Sequence, residues 1–392
     1  FAPFWSTGGG WNIHNEDWVK ELGFVDRLKL RYSFGYTGYQ NFASYQAIST
    51  SQYYTSSDYR GVIGTYLLGF GNDALAWQKT QKSNFGADIT LFKKLDITGN
   101  LFIEKTQGSI ATISTAPSTG FISYAENMGD VVGRGWELYL RYNILYDNAK
   151  RNNLSVFANL FSVKNKIEKV SSTIAAMNAR ADTARSSRPI TRYAEGQSTS
   201  AIWAVPSLGI DPASGYEIFV KKDGSLSNIY DPRDQVIIGD SRPKIEGTFG
   251  TNLELNGIGF NVFFRFRYGG QAYNQTLVER VENVAAAYYN VDRRVYEERW
   301  QQPGDITFFK GQAITEPTYT TSRFVQDDNL LALENLTMYY RFANSLNKKL
   351  GLENTRISFF TSDVFRVSSI RRERGLDYPF AKTFSLQIQT SF

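Results

Sequence analysis

The 392-residue sequence predicts an all-β fold, a transmembrane antiparallel β-barrel, on three observations. These are period-2 hydropathy in long segments, connections that alternate between short and long, and an aromatic-rich composition without a helical span. With Tyr 24, Phe 28 and Trp 7, aromatics reach 15% while charged residues are only 21% and mean hydropathy is -0.35. That mixture suits a wall with one apolar and one wet face. No run of about 18 apolar residues exists, which excludes a membrane-spanning helix, whereas barrel strands of about 9 to 11 residues leave only a weak hydropathy signal.

The strands are taken in chain order. Ala2 to Ile13 and Arg27 to Thr37 alternate in character, and four hairpins come after them. Trp77 to Phe92 and Leu95 to Thr106 flank a tight Lys93-Lys94 turn, and Gly133 to Tyr146 and Leu154 to Asn165 flank the polar Asp147 to Asn153 link. Lys244 to Leu255 and Ile258 to Tyr268 flank Asn256-Gly257, a strong type I′ signal. Gln326 to Phe342 returns through Asn344 to Asn354 into Thr355 to Val364, and Ala381 to Phe392 is the last strand. Between hairpins the connections are long, roughly 107–132, 166–243, 269–325 and 365–380, and the count is about eleven strands. Short on one side and long on the other is the pattern of periplasmic turns and extracellular loops. It places Phe392 at the periplasmic rim.

Facing follows from the period. Ile258, Phe260, Val262, Phe264, Phe266 and Tyr268 make one apolar face opposite Asn261, Arg265 and Arg267. Trp136, Leu138, Leu140, Tyr142, Ile144 and Tyr146 repeat it opposite Glu137, Arg141 and Asn143, with aromatics near strand ends where an interfacial girdle belongs. Glu246, Asn252, Arg265 and Arg267 are therefore candidates for a wet interior. In the last strand Phe384, Leu386, Ile388 and Phe392 alternate up to a terminal aromatic, the ending that outer-membrane insertion machinery reads. A soluble sandwich would bury such a face instead, and a soluble sugar-acting enzyme would bring two carboxylates about 5 to 9.5 Å apart in a cleft.

Other chemistries find little support. Cysteine is absent and His14 is the single histidine, which removes thiolate sites and most histidine catalysis. The net charge is +5, but Lys and Arg are scattered rather than gathered into a stripe, so no nucleic-acid partner is expected. Asp231 with Asp234, and Asp327 with Asp328, lack the ligand spacing and glycine of a calcium loop and read as solvated loop residues. Asp211 to Gly215 and Lys222 to Gly224 read as turns. No catalytic residue, metal or cofactor is expected. Leu277 to Trp300 is the one helical stretch expected, in a long extracellular loop. Trp203, Tyr288, Tyr289 and Trp300 are loop aromatics suited either to stacking on a sugar or peptide or to packing the loop.

The chain opens on Phe1-Ala2-Pro3-Phe4-Trp5 without an initiating methionine or signal peptide, which reads as mid-structure. Its motifs, in order, resemble the SusC/RagA family of TonB-dependent outer-membrane transporters. They are Gly10-Trp11-Asn12-Ile13; Leu28 to Gly38; Asn127-Met128-Gly129-Asp130 with Gly133-Arg134-Gly135-Trp136-Glu137; Gly239 to Lys244; Tyr268-Gly269-Gly270; Arg299 to Asp305; Ser322 to Val325; and Leu333 to Tyr340. Ala332 stands where arginine is usual, and Ser369 to Gly375 departs from the usual Gly-x-Asp-Pro-Glu turn. The resemblance implies a barrel of roughly 22 strands around a plug. Residues 1–392 would be the C-terminal part of that barrel, with the plug and first half outside this chain. It also implies outer-membrane import of oligosaccharides or peptides with no bond chemistry. The implied partners are a SusD-like surface lipoprotein, the TonB complex acting on the absent N-terminal region, the insertion machinery and outer-membrane lipid. A barrel recruited as a scaffold of an envelope complex is the alternative.

Overall fold

Residues of alternating character need two different surroundings, and here they obtain them by pairing each strand with its neighbours in sequence. The computed structural model describes residues 4–39, 48–53, 60–69, 71–114, 123–147, 152–284, 288, 290–371 and 382–391. Its main element is a 12-stranded antiparallel sheet. The strands are β1 (Trp5–Asn12), β2 (Val25–Tyr39), β3 (Gln78–Leu91), β4 (Leu95–Ser114), β5 (Ser123–Asp147), β6 (Asn152–Val170), β7 (Ile245–Leu255), β8 (Ile258–Tyr273), β9 (Val325–Arg341), β10 (Glu353–Thr361), β11 (Arg366–Ser368) and β12 (Phe384–Ser391). They form a meander in chain order, with β11 beside β9 and with β1 and β12 as open edges.

The hairpin reading holds with local changes. Asn256 (φ 50°) and Gly257 (φ 88°) close the β7–β8 turn between paired Leu255 and Ile258, as the type I′ signal predicts. The β3–β4 turn is centred one residue earlier than expected, because Phe92 and Lys93 take the positive φ values. Asp147 pairs with Asn152, so the polar link between β5 and β6 is shorter than expected; residues 148–151 lie outside the described set. The expected 344–354 link carries a helix, Asn344–Leu350, closed by Gly351 in the left-handed region at φ 67°. The strand expected over Thr355 to Val364 breaks after Thr361. A bulge at Asp363 (φ 51°) hydrogen-bonds with Leu333 in β9 before β11 resumes on the same strand.

Two larger corrections concern the loops. The 107–132 segment is not a loop throughout: β4 and β5 continue pairing across bulges at Gly108 and Gly129 up to Ser114 opposite Ser123. At about 3.3 Å per residue these strands extend well beyond the thickness of a bilayer. The Leu277 to Trp300 helix is not continuous either. It is split into Gln275–Leu277, a π-helical turn Val278–Glu282 and Arg294–Glu297. A helix that the apolar pattern did not suggest, Ser172–Ala181, packs Ile174 onto Ile113, Met128 and Ile167 of the extended strands.

The cores sit in the loops rather than in the wall. The loop after β6 contributes two-stranded pairing of Ala201–Ala204 with Val236–Asp240 and a small three-stranded sheet. The loop after β8 packs Leu277, Val278, Val281, Val295, Phe309 and Phe324 together. Val205 and Thr321 bridge the two loops backbone to backbone, beside the buried Val205, Phe219 and Tyr230.

Candidate functional site: the polar face and the loop cap

Register decides which residues share a face, and it does so consistently across the sheet. From β2 to β12 one face presents Leu30, Phe85, Leu101, Trp136, Leu160, Phe249, Phe264, Leu333, Phe359 and Leu386 in cross-strand pairs or neighbouring positions. Phe384, Leu386 and Ile388 are 60%, 71% and 67% exposed, so among the described residues no protein layer covers this part of the apolar face. Phe392 and Tyr289 lie outside the described residues. From Leu95, Leu145, Leu154 and Ile258 up to Ile103, Trp136, Ser162 and Tyr268 the apolar face of β4, β5, β6 and β8 carries no charged side chain among the described residues.

The opposite face holds the charges. Arg31 binds Asp88 through two bonds of 2.9 and 3.0 Å and reaches Asn100 at 3.3 Å. Such a bidentate pair fixes both side chains against the wall. Lys82 meets Glu104 at 3.1 Å, Arg265 meets Glu334 at 2.9 Å, and Arg267 meets Asp328 at 2.6 Å. Glu246 stands opposite Arg267 in the register, and Asn252 opposite Asn261. The four interior candidates therefore share one face. Near them a cavity of about 390 Å³ is lined by residues including Asn100, Glu137, Tyr139, Asn159, Phe161 and Thr248. Toward the short-turn end Tyr339 donates to Glu254 at 2.7 Å and the Arg356 guanidinium lies 3.8 Å from its ring centroid. Gly259 makes this possible, since a Cβ there would fall 1.9 Å from the Tyr339 ring.

The loop cap is organised by a buried charge cluster that the sequence pattern did not reveal. Arg323, 3% exposed at its side chain, binds Glu217 at 2.8 Å and Glu282 at 2.6 Å, and those carboxylates are 5% and 0% exposed. Its second guanidinium nitrogen donates to the Phe308 carbonyl at 2.5 Å. Burial acts against the Arg323 charge, but the two carboxylates outweigh it and hold the proton more firmly than usual. Arg299 is also buried and donates to the Lys310 and Gly311 carbonyls at 2.9 and 3.1 Å. Burial lowers the Lys310 pKa, against the opposing pull of Glu282. Glu217 belongs to the loop after β6 and Glu282 to the loop after β8, so one arginine joins both. An Arg directly before the apolar pair Phe324-Val325 was the available sequence signal; its partners lie 41 and 106 positions away, beyond local patterning.

The loop aromatics separate. Trp300 is packed against Gly215 and donates to the Pro212 carbonyl at 2.9 Å. Trp203 lies in the Ala201–Ala204 strand with its indole nitrogen enclosed, and the Arg192 guanidinium sits 5.9 Å from its ring. Tyr288 is 83% exposed. Asp231 caps the Pro232–Asp234 turn through the Arg233 amide and Asp234 accepts from the Lys222 amide, whereas Asp327 and Asp328, expected in a solvated loop, lie in β9, where Asp328 is held in its ion pair with Arg267 of β8. His14 contacts the Leu28 carbonyl at 3.1 Å. Among the described residues no three of His, Asp and Glu are grouped to hold a metal ion.

No family model matches the chain. It is 23% identical to TonB-dependent receptor P39 of Formosa agariphila over 384 residues, covering 88% of this chain and 37% of that protein. With TonB-dependent receptor P3 of the same organism it shares 24% over 376 residues, 91% of this chain and 36% of that one. TonB-dependent receptor SusC of Bacteroides thetaiotaomicron is 28% identical over 145 residues, 35% of this chain and 14% of SusC. Among solved structures, the RagAB peptide importer in its closed-closed state superposes with a TM-score of 0.76 at 19% identity, over 99% of this chain and 43% of that chain. Over most of its length the chain is thus similar to TonB-dependent receptors, with SusC matching over a shorter stretch. A second structure, the RagAB peptide transporter, gives 0.74 over 94% of this chain and 40% of that chain. The chain thus spans just over a third of the length of the receptors from Formosa agariphila. These relatives are named as receptors and transporters, not enzymes.

Proposed function

We propose that this chain forms the C-terminal part of a TonB-dependent barrel in the outer membrane that imports oligosaccharides or peptides. The observation that carries the reading is the two-faced sheet. One face is apolar and uncovered across the wall, while the other is lined by ion pairs such as Arg31–Asp88 and Arg267–Asp328. Lipid outside and a wet lumen inside satisfy both faces. An open edge in hydrocarbon leaves unpaired N–H and C=O groups that each cost several kcal/mol. The free edges of β1 and β12 are therefore assigned to strands elsewhere in the complete protein, which would also supply the plug and the TonB contact.

Glu246, Asn252, Arg265 and Arg267 then line the lumen, and Tyr288 is the loop aromatic best placed to meet a cargo from outside. Phe384, Leu386 and Ile388, with Phe392, serve as the insertion signal. A SusD-like lipoprotein would sit over the loop cap and the TonB complex would supply energy. Likeness to the RagAB peptide importer favours peptides over glycans.

Uptake tests this. Deleting the complete gene should abolish growth on one peptide or glycan source and remove the protein from the outer-membrane fraction. Unchanged uptake accompanied by loss of an envelope assembly would assign a scaffold role instead. A native protein that partitions into buffer without detergent would refute the barrel.

A further inference from the structure

The apolar face ends abruptly at its loop-side limit, where a row of cations begins. In β4 the outward positions run Leu95, Ile97, Gly99, Leu101, Ile103 and then Lys105. In β6 they run Leu154, Val156, Ala158, Leu160, Ser162 and then Lys164. The apolar stretch is about nine residues, the length a tilted strand needs to cross hydrocarbon, so the cations begin at headgroup depth. They lie at the end away from the short turns, which is the extracellular side.

Arg134 stands directly opposite Lys164 in the β5–β6 register, and Lys166 comes two positions later. Like charges directly opposite on neighbouring strands repel. Lys79 is held over the Tyr36 ring at 4.6 Å, and Lys105 has a 3.8 Å contact with Glu168. Arg134, Lys164 and Lys166 are exposed and have no carboxylate within ion-pair distance among the described residues. Beside them a cavity of about 430 Å³ is lined by the cations Lys164, Arg242 and Lys244 and the exposed Tyr268, with two carboxylates, Asp240 and Asp327, and side-chain amides among its other polar groups. The Arg242 Nε is enclosed and unpartnered.

We propose that Arg134, Lys164 and Lys166, with the adjoining cavity, bind the phosphorylated sugar headgroup of an outer-leaflet glycolipid. Phosphate would relieve the repulsion between Arg134 and Lys164, as anionic headgroups do for basic residues at a membrane surface. The mixed amide, carboxylate and aromatic lining of the cavity suits sugar hydroxyls and a sugar face. The proposal rests on the outer-membrane placement of the wall.

The test uses the full-length receptor extracted from membranes, with bound lipid counted by native mass spectrometry after adding purified bis-phosphorylated lipid A. Each surface cation contributes enough that the double variant Arg134→Gln/Lys164→Gln should retain about 30-fold less of it. Lys222→Gln, on an exposed loop turn, should retain the wild-type amount, and the electrophoretic heat shift of the barrel will show that each variant is folded. Inorganic phosphate, phosphatidylglycerol and dephosphorylated lipid A should compete weakly. Equal retention by the double variant would overturn the site, and so would equal competition by inorganic phosphate or phosphatidylglycerol. A receptor found outside the outer-membrane fraction would remove the placement itself, an outcome distinct from a folded, membrane-resident barrel that ignores the glycolipid.

Discussion

Replacing Arg323 by methionine should loosen the loop cap while leaving the wall in place. Arg323 makes two bonds to Glu217, at 2.8 and 3.2 Å, one to Glu282 at 2.6 Å and one to the Phe308 carbonyl. Methionine keeps much of the volume between Phe308 and Phe324 but leaves two carboxylates buried without their cation. Removing one member of a buried pair costs about 3 to 5 kcal/mol, chiefly the desolvation of the charge left behind. At about 1.4 kcal/mol per decade, this accelerates local opening by roughly 10² to 10³·⁵-fold. Hydrogen exchange on the full-length receptor in lipid would read it at the amides of Glu217–Val220 and Val278–Glu282, with β7 and β8 as internal controls. The triple replacement of Arg323, Glu217 and Glu282 by apolar residues should recover most of the protection, since no charge is then stranded. If Arg323→Met exchanges at the wild-type rate in both segments, the cluster does not hold the two loops together.

Three further perturbations probe the faces, a close approach and the loop carboxylates. Phe264→Arg places a cation on the apolar face between Phe249 and Phe365 and should cost about 2 to 4 kcal/mol, seen as reduced assembled receptor, while Glu246→Gln should assemble normally. Gly259→Val pushes the Tyr339 ring from its seat, loses the 2.7 Å bond to Glu254, and should lower stability in a urea titration by about 1 to 3 kcal/mol. Hydrogen bonds from Arg294 and Arg233 lower the carboxyl pKa values of Asp292 and Asp231 from 3.8 to about 2, against the smaller opposing effect of burial. Because the folded pKa lies below the unfolded one, their contribution is complete above about pH 4 and is lost as pH falls through 2. Solvent screening keeps it below about 1 kcal/mol, so proteolytic sensitivity of the loops should stay flat from pH 7 to about 4 and rise only below that.

The wall was legible because its code is local. Period 2 separates Phe264 from Arg265 whatever the neighbouring strand is, and Asn256-Gly257 fixes a turn through its own positive φ values. The family resemblance came from motifs along the same strands and turns. Local code could not show where β4 and β5 stop, because bulges at Gly108 and Gly129 carry pairing past positions that read as loop. Nor could it keep Leu277 to Trp300 helical. There Val278, Val281 and Val295 are drawn into a core with Phe309 and Phe324, and the π-helical turn results from that packing rather than from propensity.

The sequence by itself therefore determined a two-faced antiparallel wall and the side on which its loops lie, since alternation and turn chemistry act between near neighbours. Only the tertiary structure decided that Arg323 would meet Glu217 and Glu282, and that Arg134 would face Lys164 without a carboxylate between them. Those encounters depend on register and loop packing between residues far apart in the chain, where charge and burial act through space.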